Sequence, residues 1–98
     1  MSSTPDITLA AVVARNHAPL AADVGERVVL MSAERGNYYD LDETGSEIWR
    51  RIAQPVRVSD LCAQLLATYD APREALEADV LAFLQRLASQ GLIDVSAG

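Results

Sequence analysis

The spacing of hydrophobic and polar positions along this chain changes near residue 41. Before that point apolar residues come in alternating or short continuous runs; after it they recur every three or four positions. Ile7, Leu9, Ala11 and Val13 fall on alternating positions, which predicts a first strand over Ile7 to Arg15. Asn16 to Gly25 contains Pro19 and reads as a loop. The run Val28-Val29-Leu30-Met31 inside Arg27 to Ser32 predicts a second, central strand. A tight turn over Glu34 to Asn37, where Gly36 can supply positive φ if the turn needs it, then leads into a third strand, Asn37 to Leu41. Ending the sheet, that strand would leave an open edge, a row of unpaired N–H and C=O groups available to another chain.

The helical period begins at Asp42, whose carboxylate can cap a helix by accepting from a backbone N–H of the first turn. Gly45, Ile48, Trp49 and Ile52 share one face of this first helix, and Pro55 breaks the pattern. Val58, Leu61, Cys62, Leu65, Leu66 and Tyr69 form the apolar stripe of a second helix, which ends at Asp70-Ala71-Pro72. Pro72 suits the first turn of a third helix whose inner face carries Leu76, Val80, Phe83, Leu84 and Leu87. Leu92 to Val95 is expected to pack back on the sheet as a short extended piece. Three strands followed by three helices, in 98 residues, predict an α+β fold: a small antiparallel sheet with helices packed on it. The domain is expected to run from residue 7 to 95, behind a loose tail of residues 1–6 that is broken by Pro5.

Composition narrows the function. A chain of this length supports one modest core and leaves little room for an active-site cavity as well. The net charge of −6 and the scatter of the eight basic residues, all Arg, argue against binding to a phosphate backbone. The single cysteine, Cys62, excludes an intrachain disulfide and lies on the apolar stripe of its helix, where it reads as a small core residue. No apolar run approaches the roughly 20 residues needed to span a bilayer, and the N-terminus does not resemble a signal peptide. These features together read as a cytoplasmic protein.

Candidate chemistry is sparse. His17, the only histidine, sits in a loop without a cysteine nearby, so neither a Cys/His nucleophile nor a zinc site can be assembled around it. Asp40, Asp42 and Glu43 form an acidic cluster, but a helix cap and first-turn acid explain the last two more simply. Gly36 and Gly45 are too isolated for a phosphate loop, and Ser46 and Ser59 have no base or orienting partner. Catalysis by this chain alone is not expected, and neither is a metal or cofactor. Trp49 reads as core. In the third strand, Tyr39 and Leu41 are expected to face the helices and Tyr38 and Asp40 to face outward. For Tyr38, an ordinary exposed strand aromatic and a binding residue both fit.

The stretch Gly36-Asn37-Tyr38-Tyr39-Asp40-Leu41-Asp42-Glu43-Thr44-Gly45-Ser46-Glu47-Ile48-Trp49 resembles the Gly-x-Tyr-Tyr-x-Leu-Asn-x-x-Gly-x-x-Ile-Trp signature of PqqD-like proteins. Val58-Ser59-Asp60-Leu61, Leu65-Leu66 and Tyr69-Asp70 look like the family's second helix. Asp79-Val80, Phe83-Leu84, Leu87 and Gly91-Leu92-Ile93 look like its third helix and ending. The resemblance covers Ile7 to Val95. Asp42 stands where the family often has Asn, and Arg57 where Thr commonly opens the second helix; Asp caps as well as Asn does, and the cap of the second helix is expected to shift to Ser59. The Tyr-Tyr-x-Leu strand looks closer to the stand-alone leader-binding proteins of lasso-peptide pathways than to the protein of pyrroloquinoline quinone synthesis, whose strand usually carries a Lys-Leu-Asn pattern. The tryptophan of that relative's Arg-Gly-Trp-Leu-like ending is absent from Gly91-Leu92-Ile93.

The resemblance implies a RiPP recognition element, a winged-helix-like domain that binds the leader segment of a ribosomally made precursor peptide. The leader is then expected to add as an antiparallel strand to the third strand, beside the third helix. By position, the peptide-binding residues are Asn37, Tyr38, Tyr39, Asp40 and Leu41 on the strand, with Leu76, Asp79, Val80, Phe83, Arg86 and Leu87 on the helix. Val80 and Phe83 are assigned to an apolar pocket for a leader anchor, and Asp79 and Arg86 to its polar rim; for Val80, Phe83 and Leu87, packing within the core fits equally. The implied partners are the leader and, in a lasso pathway, a leader peptidase and a macrolactam cyclase. A peptide chaperone of pyrroloquinoline quinone type is one alternative. A winged-helix DNA-binding regulator is another, opposed by Glu74, Glu77 and Asp79 on the would-be recognition helix.

Overall fold

The computed structural model describes residues 6–17 and 19–96. In chain order the elements are β1 (Val12–Arg15), β2 (Pro19–Val24), β3 (Arg27–Ser32), β4 (Asn37–Asp40), α1 (Glu43–Arg51), β5 (Val56–Arg57), α2 (Val58–Thr68), α3 (Arg73–Ser89) and β6 (Ile93–Ser96). The fold is α+β, as expected. Its strands form two antiparallel three-stranded sheets, ordered β5-β1-β6 and β2-β3-β4. The expected tail lies outside the described residues except for Asp6, which is exposed.

Two strand expectations need correction. The first strand is shorter than Ile7 to Arg15, because residues 7–11 use their backbone elsewhere: the Ala11 N–H bonds back to the Thr8 carbonyl, closing a turn. The carbonyls of Leu9 and Ala11 accept from the amides of Ser59 and Val58, the opening residues of α2. That explains how α2 begins without a side-chain cap at Arg57 and without the shift to Ser59: the preceding chain satisfies its first two orphan donors, the amides of Val58 and Ser59. β1 also joins β5 and β6 rather than β3, so the residues expected to pack back on the main sheet complete a second sheet instead.

The second correction is β2, which occupies most of the stretch read as a loop. Pro19 is its first residue and β2 is an edge strand, the setting in which a proline without a backbone donor is tolerated. Gly25, at φ 66°, turns β2 directly into β3. A glycine at the start of a two-residue connection was the available signal. It was masked because the alternating residues Leu20, Ala22 and Val24 face solvent and give no core pattern. The strand expected as third is therefore β4, reached through the expected turn with Gly36 at φ 67°.

The core lies between the sheets and the three helices. Val13, Leu30, Ile52, Val58, Leu61, Leu65, Val80, Leu84 and Leu92 are almost wholly withdrawn from water, and Trp49 is buried with them. Arg15 lies over the Trp49 ring at 5.1 Å and donates to its carbonyl at 2.7 Å, so a charged side chain closes the core on that side. Asp42 caps α1 as expected, its Oδ1 accepting from the Gly45 N–H at 2.7 Å.

Ser46, which carries no catalytic constellation, has a structural task. Fully buried, its hydroxyl accepts from the Val28 N–H at 2.8 Å and donates to the Leu41 carbonyl at 3.2 Å. Replacing it with alanine leaves a buried amide unpaired, so Ser46→Ala is expected to lower stability by about 1–3 kcal/mol in urea unfolding; a midpoint equal to wild type would contradict this assignment. Burial also pushes the Cys62 thiol up from its ordinary value, with Glu77 adding to the shift and Arg73 opposing it. The folded state then holds this proton more tightly than the unfolded chain does. The contribution is complete below the ordinary thiol value of 9.0 and is lost as pH rises through the higher folded value. Stability measured between pH 8 and 10.5 is expected to fall more steeply in wild type than in Cys62→Ala.

Candidate functional site

β4 is an edge strand, hydrogen-bonded only to β3 among the described elements. The Leu41 N–H bonds the Val28 carbonyl at 2.9 Å, and this fixes the phase of the ladder. Because antiparallel bonding alternates, Asn37 and Tyr39 also turn their backbone groups toward β3, while Tyr38 and Asp40 turn theirs to the open side. The side chains alternate as expected. Leu41 is buried and Tyr39 half-buried against the core, whereas Tyr38 is 71% exposed and Asp40 stands in solvent.

Alongside this edge runs α3, separated from it by a groove of about 540 Å³. Asn37, Tyr38, Tyr39, Asp40 and Leu41 line the strand side, and Phe83, Arg86 and Leu87 line the helix side. Leu76, Asp79 and Val80 fall instead in an adjoining hollow of about 490 Å³, toward the start of α1, which shares Phe83 and Arg86 with the first. The eleven expected residues thus occupy two connected depressions rather than one. Leu76, Val80 and Leu87 are core residues that reach the depressions only with an edge, Val80 being 1% exposed. Phe83 is half-buried, while Asp79 and Arg86 are exposed.

Two contacts set the shape of these depressions. The Tyr39 hydroxyl donates to Oε1 of Gln90 at 2.8 Å, tying the middle of β4 to the end of α3. Phe83 packs at the start of α1, so close to Gly45 that a Cβ there would stand 3.0 Å from the ring. The Arg86 guanidinium lies 5.8 Å from the centre of the same ring. Sequence reasoning missed Gln90, although Phe83, Leu87 and Gln90 repeat at helical spacing and so share a face. It also gave Gly45 a place on a helical stripe without the reason for a glycine there.

Electrostatics around the groove are mild. Arg27 pairs with Asp40 at 3.2 Å, both half or more exposed, so the pair contributes little to stability. Its Nε also donates to the Leu41 carbonyl at 3.0 Å, pinning the end of β4. Among the described residues no group of three or more His, Cys, Asp or Glu is placed to hold a metal ion, and His17 is exposed. No helix among them is long and apolar enough to cross a membrane.

The family model for Coenzyme PQQ synthesis protein D (PqqD) matches residues 27–93, the span that contains both walls of the groove. The chain belongs to the PqqD family. The PqqA binding protein of Bradyrhizobium diazoefficiens is 38% identical over 78 residues, which are 79% of this chain and 74% of that protein. In fold, the chain is similar to TbiB1 in a complex with the TbiA(beta) leader peptide: the TM-score is 0.76 at 30% identity, covering 83% of this chain and 94% of that one. The PqqD-like resemblance read from residues 36–49 is therefore correct.

The groove's geometry depends on Tyr39 in two separable ways. Tyr39→Phe keeps the ring but loses the bond to Gln90, and is expected to lower stability by about 1 kcal/mol. Tyr39→Ala also removes the packed ring and is expected to lower it by about 3 kcal/mol. Equal unfolding midpoints for the two variants would show that the ring contributes nothing.

Proposed function

We propose that this protein is a non-catalytic binder of the leader segment of a ribosomally made precursor peptide, which it receives as a fourth strand on β4. The observation that carries the reading is the juxtaposition of an unpaired strand edge with a half-apolar helix wall. Backbone groups of Tyr38 and Asp40 hold the peptide without regard to its sequence, and the depressions at Phe83 select its side chains. Asn37, Tyr39 and Leu41 shape the strand side. Leu87 and Arg86 form the wall of the first depression, and Leu76, Asp79 and Val80 that of the second. The TbiB1 complex with its leader peptide supports this reading, because that protein shares the fold across nearly its whole length.

The bound peptide is then presented to processing enzymes, which in the reading we favour are the leader peptidase and macrolactam cyclase of a lasso-peptide pathway. The similarity to a PqqA binding protein favours a second reading, a peptide chaperone of pyrroloquinoline quinone type. Fluorescence polarisation with labelled PqqA and with labelled lasso-type leaders encoded beside this gene separates the two. A DNA-binding role has less support: Arg27, Arg50, Arg51 and Arg73 are held in ion pairs with carboxylates, which leaves little positive charge for phosphates.

Asp40→Pro deletes an outward N–H from the edge while sparing the inward ones. It is expected to weaken leader binding about tenfold, the equivalent of roughly 1.4 kcal/mol. Asp40→Ala, which loses the carboxylate and keeps the N–H, controls for the ion pair with Arg27 and is expected to bind within about threefold of wild type. A folded Asp40→Pro variant with unaltered affinity would remove strand addition at β4 from the account.

A further inference from the structure

The two depressions differ in charge. In the groove beside β4 the charged side chains are Asp40 and Arg86, and Asp40 is already paired with Arg27 at 3.2 Å. The adjoining hollow carries three carboxylates, Asp42, Asp70 and Asp79, against the same Arg86. Asp42 is engaged as the cap of α1, its Oδ1 accepting from the Gly45 N–H at 2.7 Å. Asp70 and Asp79 are exposed, and among the described residues neither is in an ion pair. Arg73, which opens α3, is held instead by Glu77 at 3.8 Å, and Arg86 lies by the Phe83 ring at the boundary with the groove. Negative charge is therefore left uncompensated on the side of the hollow away from β4.

Between those carboxylates the hollow is lined by Ile48, Leu76, Val80 and Phe83, the first three buried and the ring half-buried. An aliphatic leader side chain would use this apolar lining and gain nothing from the carboxylates, while an acidic one would be repelled by them. A long apolar stem that ends in a cation uses both, and lysine and arginine are built that way. Strand polarity says which part of the leader brings it. Tyr39 reaches Gln90 at the end of α3, whereas past Leu41, at the start of α1, Gly45 meets Phe83 in the middle of α3. β4 and α3 therefore run in opposite senses. A guest antiparallel to β4 runs in the same sense as α3, so its amino-terminal side lies toward Leu76 and Asp79.

We propose that the leader this protein accepts carries a basic residue, Lys or Arg, just before the segment added to β4, with its stem over Val80 and Phe83 and its cation at the Asp70 and Asp79 carboxylates. The inference rests on the strand-addition reading above and adds to it a side-chain requirement. Backbone pairing alone lets a peptide slip along the edge by two residues and keep the same side chains inward. One cation held at the hollow selects a single alignment, and so fixes which leader residues enter the groove beside Tyr39 and Leu87.

The test measures, by fluorescence polarisation, a labelled leader of the precursor encoded beside this gene and copies in which each Lys or Arg is changed singly to Gln. The proteins are wild type, Asp40→Pro and the Asp70→Asn/Asp79→Asn double variant, with folds checked by circular dichroism. At low salt the double variant is expected to bind the unaltered leader about fivefold more weakly than wild type does. One leader substitution is expected to cost wild type as much, and the two losses are expected not to add, because they remove the same contact. At about 1 M salt, where the screening length is about 3 Å, the difference between the two proteins is expected to shrink below about twofold. A double variant that binds as wild type does, while Asp40→Pro is still impaired, overturns the basic anchor and leaves strand addition standing. Tighter binding by the double variant, or a loss that persists in high salt and adds to every leader substitution, overturns the anchor as well. Failure of wild type to bind the leader, or full affinity in a folded Asp40→Pro variant, overturns strand addition and the anchor with it.

Discussion

One buried hydroxyl joins the parts on which the site depends. Through Ser46, helix α1 holds the first core residue of β3, Val28, and the carbonyl of Leu41 at the end of β4. Asp42 caps the same helix one turn earlier, and Leu41 bonds Val28 across the ladder, so strand, turn and helix are mutually fixed within a few residues. An edge strand paired on one side only would ordinarily fray. Here its far end is anchored by Ser46 and by the Arg27 guanidinium, and its middle by the bond from Tyr39 to Gln90. Those restraints leave the outward groups of Tyr38 and Asp40 untouched. A preorganised edge is what strand addition needs, since an acceptor already ordered loses less entropy when a peptide arrives.

The groove follows from the same economy of contacts. α3 is held at its end by Gln90 and at its middle by Phe83, which is let down onto α1 by the missing Cβ of Gly45. Between those points strand and helix stay apart, leaving a trough instead of a packed seam. A glycine that the sequence pattern places merely on a helical face therefore has a specific task. It brings an aromatic ring to the boundary between two depressions and lets Arg86 lie beside that ring.

How much of this was legible in the sequence depended on whether a residue's role was local. The Asp42 cap, the turn at Gly36, the helices, and the alternation of Tyr38 and Asp40 against Tyr39 and Leu41 are decided by nearest neighbours and were read from them. β2 was not legible as a strand, because its apolar residues face water and so imitate no core pattern. The shortened β1 was hidden for the opposite reason: Leu9 and Ala11 keep the alternation of a strand while their carbonyls serve α2, more than 45 residues away in sequence. Of the groove residues, the strand and Phe83, Arg86 and Leu87 come together as the resemblance implied. Leu76, Asp79 and Val80 lie one depression further along, a displacement set by the rise of α3 past the start of α1. Gln90 required a contact across 51 positions that no local pattern encodes.

Strand addition at β4 requires two particular backbone amides to be vacant for a guest. Residue-resolved hydrogen exchange of the protein, alone and with saturating leader peptide, reads them directly. The Tyr38 and Asp40 amides are expected to exchange quickly in the free protein and to become strongly protected when the leader binds, while the Leu41 amide, already bonded to Val28, is protected in both states. Bound leader with Tyr38 and Asp40 still exchanging at their free rates would contradict it.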